Sequence, residues 1–540
     1  MNKSDWTIVE LLRRQAARHG ERRFMSFEQG AELSYAGLDR DSDQLARVLA
    51  AAGVGAGDRV LALLKNRAEF MLAMLATHKL SAIWVPINTE LKGAFLQHQL
   101  GNAAPAVAFV DADLVDAFAG VDRGDGPLAE VVVVAGEVPA DMPSGLAGVP
   151  ASGFPAFAAR AGATGDVLRR PAPRDIACIM YTSGTTGPAK GVLMPHAHCY
   201  LFGLGTARSL ALAEDDIYYV CMPLFHANAL LMQVLGALIA GAPIHCVERF
   251  SPNRWLDEVR ACGATVTNGL GVIPEFIFRT PERPDDGDNK LRLMMAAPIA
   301  SEWGRPFEQR FGLSIRQGYG MTECNIPAYT AADDPLAPGC AGRILDDFFE
   351  VRIVDPETDE VLPQGEVGEI VIRPKEPACF MQGYFRMPEK TVEAWRNLWF
   401  HSGDAGQFDE AGRLFFVDRI KDCIRRRGEN ISSYEVEQVL NDHPDIDESA
   451  VIGVKTADAG GEEEVMACLT VAGSAVVDEI ALLDYCAARM PRYAVPRFVE
   501  VVGELPKTAT GKIRKQALRD VGVTAATWDR ESVGYKIARR

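Results

Sequence analysis

Two apolar periodicities alternate along the first part of the chain, and this alternation limits the possible folds more than any compositional figure does. Helical spacing over Ser42 to Ala52 stops at Gly53, the strand-like run Arg59 to Leu64 follows, a helix opens at Arg67, and Ala82 to Ile87 reads as strand again. Strands separated by helices pair in parallel with helices packed on their faces, so an α/β fold is predicted. At 540 residues the chain is too long for one hydrophobic core and should divide into several domains or subdomains. The amino end reads as a helix of the folded protein: Thr7 and Glu10 form a capping-box pattern and Gly20 suits its close. It lacks the apolar core of a signal peptide, so export is not expected.

Residues 135 to 174, rich in Gly, Ala and Pro, read as a surface connection before the strand Ile176 to Tyr181. Beyond Gly339 the strands shorten and turns multiply (Glu350 to Val354, Gly368 to Ile372, Arg413 to Val417), the pattern of a small β subdomain. A last unit with strand, helix and strand (Ala450 to Val454, Ile480 to Met490, Phe498 to Val502) reads as α+β. The predicted division is a large N-terminal domain over 1–418, with parallel α/β subdomains and a β subdomain at about 339–418, followed by a small C-terminal domain over 419–540.

The balance of 73 acidic against 56 basic residues, a net charge of -17, excludes a dedicated nucleic-acid binder. The most apolar stretch, Ala229 to Ala242, is interrupted by Gln233 and Gly236 and stopped by Pro243. It falls short of the roughly 20 residues that span a bilayer and is expected to be a buried helix. Eleven cysteines without a CxxC pair suit neither a disulfide framework nor a zinc site, and point to the reducing cytoplasm. Cys324 reads as a small buried side chain.

Five short motifs carry chemistry. In YTSGTTGPAK (Tyr181 to Lys190), glycines allow close backbone approach, the hydroxyls of Thr182, Ser183, Thr185 and Thr186 can donate, and Lys190 adds charge, which together suit a phosphate cradle between a strand and an expected helix. A P-loop starting at Gly184 is excluded, because Ala189 and Gly191 stand where glycine and a hydroxyl are needed. GYGMTE (Gly318 to Glu323) follows the strand-like Leu313 to Arg316. It offers a flat ring at Tyr319, a hydroxyl at Thr322 and a hard oxygen ligand at Glu323, although a turn glutamate can equally be solvated. WFHSGDAG (Trp399 to Gly406) sets Asp404 in a glycine-flanked turn, suited to ribose hydroxyls or to an Asx turn. DRIKDCIRRRGENISSYEVE (Asp418 to Glu437) carries a basic run, and PKTATGKIRK (Pro506 to Lys515) a lysine and glycine loop near the carboxyl end.

In this order and separation the motifs resemble those of the acyl-adenylate-forming superfamily, the AMP-dependent synthetases and ligases, over nearly the whole chain. PLFHANA (Pro223 to Ala229), RRRGENISSYEVE and the short tail look most like the crotonobetaine/carnitine-CoA ligase group. The resemblance implies an acyl-CoA synthetase using ATP, Mg2+ and coenzyme A: a carboxylic acid is first converted to acyl-AMP with loss of pyrophosphate, then passed to a thiol. It implies that Thr182, Ser183, Gly184, Thr185, Thr186 and Lys190 hold the departing phosphates, and that Glu323 holds the metal while Thr322 meets the α phosphate. Ala297, Pro298, Gly318, Tyr319, Gly320 and Met321 would surround the adenine, and Asp404 and Arg419 the ribose. Lys512 would bridge the carboxylate and the α phosphate, and His226 would gate the acyl tunnel. Arg425, Gly428 and Glu429 lie on another loop of the same small domain. That domain would therefore be mobile, turning about Lys421 to present each loop in its own half-reaction.

The chain also departs from the pattern. Met295 and Ala296 precede the adenine segment where many relatives have two glycines, which should reshape the acyl pocket. Ser433 replaces a frequent proline, with little consequence expected. The aspartate that holds an α-amine in peptide-synthetase domains is absent where PLFHAN stands, which disfavours amino-acid substrates. The tail after Lys512 is too short for a carrier domain of about 50 residues, so free coenzyme A is the expected acceptor. An acyl-AMP ligase loading a separate carrier protein, and a non-catalytic nucleotide-binding protein, are the alternatives. The resemblance leaves a homodimer open.

Overall fold

Three sheets and a separate small domain account for the chain in a computed structural model. It describes residues 2–124, 126–182, 188–271, 273–297, 299, 303–420, 422, 424–426, 429–456, 463–473, 475–490, 492–508 and 511–536, with backbone only at 425, 429, 430 and 435. One sheet runs in the order Ala151–Gly153, Glu130–Val134, Val107–Asp111, Arg59–Leu63, Ile83–Pro86, Ile176–Thr182, all parallel, and is extended by the antiparallel strands Lys190–Pro195 and Gly383–Tyr384. A second takes the order Ser314–Arg316, Leu293–Ala297, Val266–Leu270, Tyr218–Val220, Ile244–Cys246, Arg23–Phe27, parallel until the edge strand Glu32–Ser34. Strands buried on both faces have no solvent side to alternate with, which is why Glu130–Val134 reads EVVVV. The expected cap at the amino end is present: Thr7 Oγ1 accepts the Glu10 N–H at 3.1 Å.

The third sheet has eight strands. It is antiparallel and begins at Gly318–Met321, so the second motif opens it. The strands Trp399–Phe408 and Leu414–Arg419 lie side by side within it, and carry Asp404 and Arg419 as register partners. The small domain holds a four-stranded sheet (Ile446–Lys455, Glu463–Val471, Phe498–Val501, Trp528–Asp529) with the helices Ser433–Asn441, Glu479–Ala487 and Lys515–Val521, around cores of its own. At the junction, Ser432 Oγ donates to the Val417 carbonyl at 3.0 Å. Ser433 Oγ donates to Asp418 Oδ2 at 2.6 Å and receives the Lys515 ammonium at 2.6 Å, while Lys515 also pairs with Glu437 at 2.8 Å.

Two expectations are corrected. No helix directly follows the opening motif: Lys190–Pro195 returns antiparallel to Ile176–Thr182, and the helix starts only at His196. Pro195 explains this, because a residue preceding proline is held extended and Met194 therefore continues the strand. Residues 135 to 174 are also more than a surface connection. They include the edge strand Ala151–Gly153 and the short helix Phe154–Ala158, whose Phe157 is wholly buried. The small residues here serve close packing, since a Cβ on Gly145 would stand 2.3 Å from the Phe118 carbonyl oxygen. The apolar stretch is a buried helix as expected, beginning as a π-helical turn over Asn228–Val234 and continuing as Leu235–Ala240. No helix among the described residues is long and apolar enough to cross a membrane.

Candidate active site

The opening motif is a hairpin whose two ends are register partners. Thr182 closes one strand, Lys190 opens the next, and Thr182 Oγ1 donates to the Lys190 carbonyl at 3.4 Å. Ser183, Gly184, Thr185 and Thr186 lie outside the described residues. The Lys190 ammonium stands 4.2 Å from the centre of the Tyr384 ring, a cation–π contact. Burial lowers its pKa and Glu323 opposes that shift. The Tyr384 hydroxyl donates to Glu323 Oε1 at 3.0 Å, so lysine, tyrosine and glutamate form one stack. Glu323 is buried, and its Oε2 finds no hydrogen-bond donor among the described residues. A buried carboxylate oxygen left without a donor is costly, and water, an ion or a ligand can each relieve that cost.

Glu323 lies in the turn between Gly318–Met321 and Asn325–Tyr329. Gly320 has to be glycine there, because a Cβ would meet the Asn325 carbonyl oxygen at 2.0 Å. The turn is pinned from below: His198 Nε2 bonds the Thr322 carbonyl at 2.9 Å, and Asn325 Nδ2 donates to the Cys379 carbonyl at 3.0 Å. The buried Tyr319 ring lies against Phe416 at 6.2 Å between centroids, and its hydroxyl donates to Asp404 Oδ2 at 2.8 Å. Arg419 Nε meets Asp404 Oδ1 at 2.8 Å. Burial pushes the Asp404 carboxyl up to about 6, with Arg419 and the Tyr319 hydroxyl opposing only in part. Cys324 is fully buried, which drives its thiol pKa well up and leaves it inert.

Lys512 reaches this group from the small domain. Its side chain remains open to water although protein crowds it on most sides; burial and Arg419 lower its pKa while Asp404 raises it. His226, just before the π-helical turn, has its imidazole pKa pulled down to about 4 by burial and by the Lys512 charge, so it is neutral at pH 7. Direct contacts thus join Lys190 to Glu323 through Tyr384, and Tyr319 to Arg419 through Asp404, while Lys512 feels the charges of Arg419 and Asp404, and His226 that of Lys512. Ala297 ends its strand half-buried, with its carbonyl accepting the Gly271 N–H at 3.1 Å. Pro298, Lys421 and Gly428 lie outside the described residues, as do the side chains of Arg425 and Glu429, whose backbone forms the hairpin Ile424–Arg426 with Glu429–Ile431.

The model of the AMP-binding enzyme family matches residues 12–385, and that of its C-terminal domain residues 435–512. The chain belongs to this family. It is 31% identical over 493 residues to a crotonobetaine/carnitine–CoA ligase of Salmonella paratyphi A, covering 90% of this chain and 93% of the relative. Among solved structures, ATP-bound MatB from Rhodopseudomonas palustris superposes with a TM-score of 0.80 at 27% identity, covering 95% of this chain and 98% of that one. The O-succinylbenzoate coenzyme A synthetase of Bacillus subtilis in complex with AMP gives a TM-score of 0.80 at 25% identity, covering 96% and 99%. The chain is therefore an enzyme, an AMP-binding ligase of the acyl-CoA synthetase class with a large N-terminal and a small C-terminal domain.

Sequence reasoning missed Tyr384, His198 and the role of Ser433. Tyr384 lies in a two-residue strand outside every motif, and only the pairing of Tyr384 with Val192 carries it to Lys190. His198 is buried in a helix whose apolar residues surround it on all sides, so nothing in its spacing marks it.

Proposed function

We propose that the enzyme activates a small carboxylic acid with ATP, forming acyl-AMP and pyrophosphate, and transfers the acyl group to coenzyme A in the cytoplasm. The observation that carries this reading is that Lys512, from the small domain, lies within the electrostatic reach of Asp404 and His226 of the large one and of Arg419 at their junction. An acid is a poor acyl donor because oxide leaves badly, and adenylation supplies a leaving group. Lys512 bridges the attacking carboxylate and the α phosphate, where one well-aimed donor is worth about 2.7–4 kcal/mol. Asp404 accepts the ribose hydroxyls and Thr322 donates to the α phosphate. Thr182, Lys190 and the residues between them hold the departing pyrophosphate.

Magnesium fits Glu323, whose unpaired buried Oε2 is a hard oxygen donor. No group of three or more His, Cys, Asp or Glu among the described residues forms a cage of its own. This suits an ion that keeps water and phosphate oxygens as its other ligands. When bound, the ion neutralises charge on the phosphates. Residues 1–418 carry the nucleotide and acyl pockets. Residues from 419 onward turn as a unit to offer Arg425, Gly428 and Glu429 in the thioester step.

The test is pyrophosphate release over a panel of acids, with and without coenzyme A. Lys512→Ala should slow adenylation about 10²- to 10³-fold and leave thioester formation from supplied acyl-AMP largely intact. Equal loss in both half-reactions would sink the role given to Lys512. Acyl transfer to a carrier protein with no consumption of free coenzyme A would replace the acceptor.

A further inference from the structure

Beneath the π-helical turn, three buried side chains form a directed chain of hydrogen bonds. The Tyr218 hydroxyl donates to Asn268 Oδ1 at 2.5 Å, and Asn268 Nδ2 donates to Asn228 Oδ1 at 3.1 Å. Asn228 Nδ2 then donates to the thioether sulfur of Met232 at 3.1 Å. A thioether can accept but not donate, so Asn228 turns its amide N–H toward Met232 and the chain ends on a donor. A thioether is also a weak acceptor, which makes this last donor the most weakly bonded member of the chain. Tyr218 and Asn268 are at most 1% exposed, whereas His226, Ala227 and Met232 are half-buried; the chain therefore runs from the core toward an accessible face.

That face borders the reacting group. His226 stands two residues before Asn228 and feels the charge of Lys512. Asn268 is the register partner of Met295, two residues before Ala297. Asn268 and Met295 lie mid-strand, whereas Ala297 ends its strand and His226 and Asn228 follow the carboxyl end of Tyr218–Val220, the side on which open α/β sheets take their ligands. A π-helical turn at this point re-aims one residue out of the α-helical register, a common device at functional sites.

We infer that Asn228 is a specificity residue, and that the acid this enzyme accepts carries a hydrogen-bond acceptor oxygen, as hydroxyl, oxo or amide, within its acyl group. This rests on the ligase reading proposed above. An acceptor oxygen displaces the thioether and satisfies the terminal N–H. A quaternary ammonium in the same position meets donor hydrogens of its own sign, with neither the carboxylate nor the aromatic face it needs supplied by Asn228. A quaternary-ammonium acid without such an oxygen, as crotonobetaine is, is therefore disfavoured.

The experiment measures pyrophosphate release by the full-length enzyme with hexanoate, with hydroxy- and oxohexanoates substituted at each carbon in turn, and with crotonobetaine. At least one substituted acid should exceed hexanoate in kcat/KM by about tenfold or more, because a site built to bond an oxygen discriminates strongly against its absence. Asn228→Leu should reduce that ratio below about threefold. Asn228→Asp, which keeps the shape, should raise crotonobetaine relative to hexanoate by about tenfold and guards against a Leu variant that fails to fold. Preference of the wild type for hexanoate or crotonobetaine overturns the inference. So does a ratio that survives in Asn228→Leu, or an Asn228→Asp enzyme with unchanged preferences. No release with any acid overturns the ligase reading itself, and this inference with it.

Discussion

Asp216 and Asp404 are buried almost equally, at 4% and 3% exposure, and differ in what surrounds them. Asp216 accepts two bonds from Arg292, at 2.8 and 2.6 Å, one from the Thr265 hydroxyl at 2.7 Å and one from the Ala213 N–H at 2.9 Å. Burial pushes its carboxyl up, but these partners together hold it below the ordinary carboxylate range. Asp404 has Arg419 and Tyr319, and ends up near 6. Glu323, beside it, keeps a whole oxygen without a donor among the described residues. A saturated carboxylate stabilises the fold it sits in. An unsaturated one weakens the fold and keeps binding capacity for a ligand that brings its own donors or charge.

The largest expected effect lies on the unsaturated side. Glu323→Gln should lower the rate of pyrophosphate release about 10²-fold, on the scale of losing one electrostatic contact to the reacting phosphates, while the melting temperature stays level or rises. A clear loss of stability with normal activity per folded molecule would move Glu323 into the same class as Asp216. Asp216→Ala should do the reverse. Breaking a buried pair costs about 3–5 kcal/mol, and the lower end applies because Arg292 is partly exposed. The urea midpoint should fall, with adenylation kinetics of the folded enzyme unchanged.

Titration separates the two aspartates further. Asp404 has a raised pKa, so between about pH 4 and pH 6 the folded state keeps a proton that the unfolded chain has released, and stability falls as pH rises through that window. Asp404→Asn should therefore melt higher than wild type at pH 7, with the gap closing toward pH 4. Asp216 has a lowered pKa, so its contribution is present above the unfolded value and is lost as pH falls through the folded one. A gap for Asp404→Asn that is constant with pH would remove the distinction. The smallest effect is a control for strain away from the site. Leu398, 79% exposed at the tip of the tight turn joining Trp395–Arg396 to Trp399–Phe408, has φ 65 where glycine is favoured. Leu398→Gly should stabilise by about 1 kcal/mol without altering turnover, as read by chemical denaturation beside a standard assay.

Much of this was legible in the sequence because it depends on local chemistry. The parallel sheets follow from alternating periodicity, and the positions of Lys190, Glu323, Asp404 and Lys512 follow from short motifs that need only a strand end or a turn to display them. What was illegible depends on pairing across long separations. Nothing in GYFRMP foretells that Tyr384 will pair with Val192 and so come between Lys190 and Glu323. Nothing in PLFHANA tells that Asn228 will meet an asparagine forty residues later. The return strand after the opening motif was hidden for a subtler reason. Glycine, hydroxyls and lysine suit a loop leading into a helix as well as one leading into a hairpin, and Pro195 was the only residue that discriminated.

Ser433 was the least promising of the departures from the family pattern, yet it sits where the two domains are tied together. Its hydroxyl, the Ser432 hydroxyl and the Tyr434 N–H all bond to Val417 and Asp418, which precede Arg419 at the end of the large domain's final strand. Any rotation about residues 419–422 has to exchange these bonds for bonds to water, at about 1 kcal/mol each. If the small domain turns there as proposed, their sum would act as a timer. It would set how long a bound acyl-adenylate waits before the thiol can reach it, and the bond made by Ser433 would lengthen that wait.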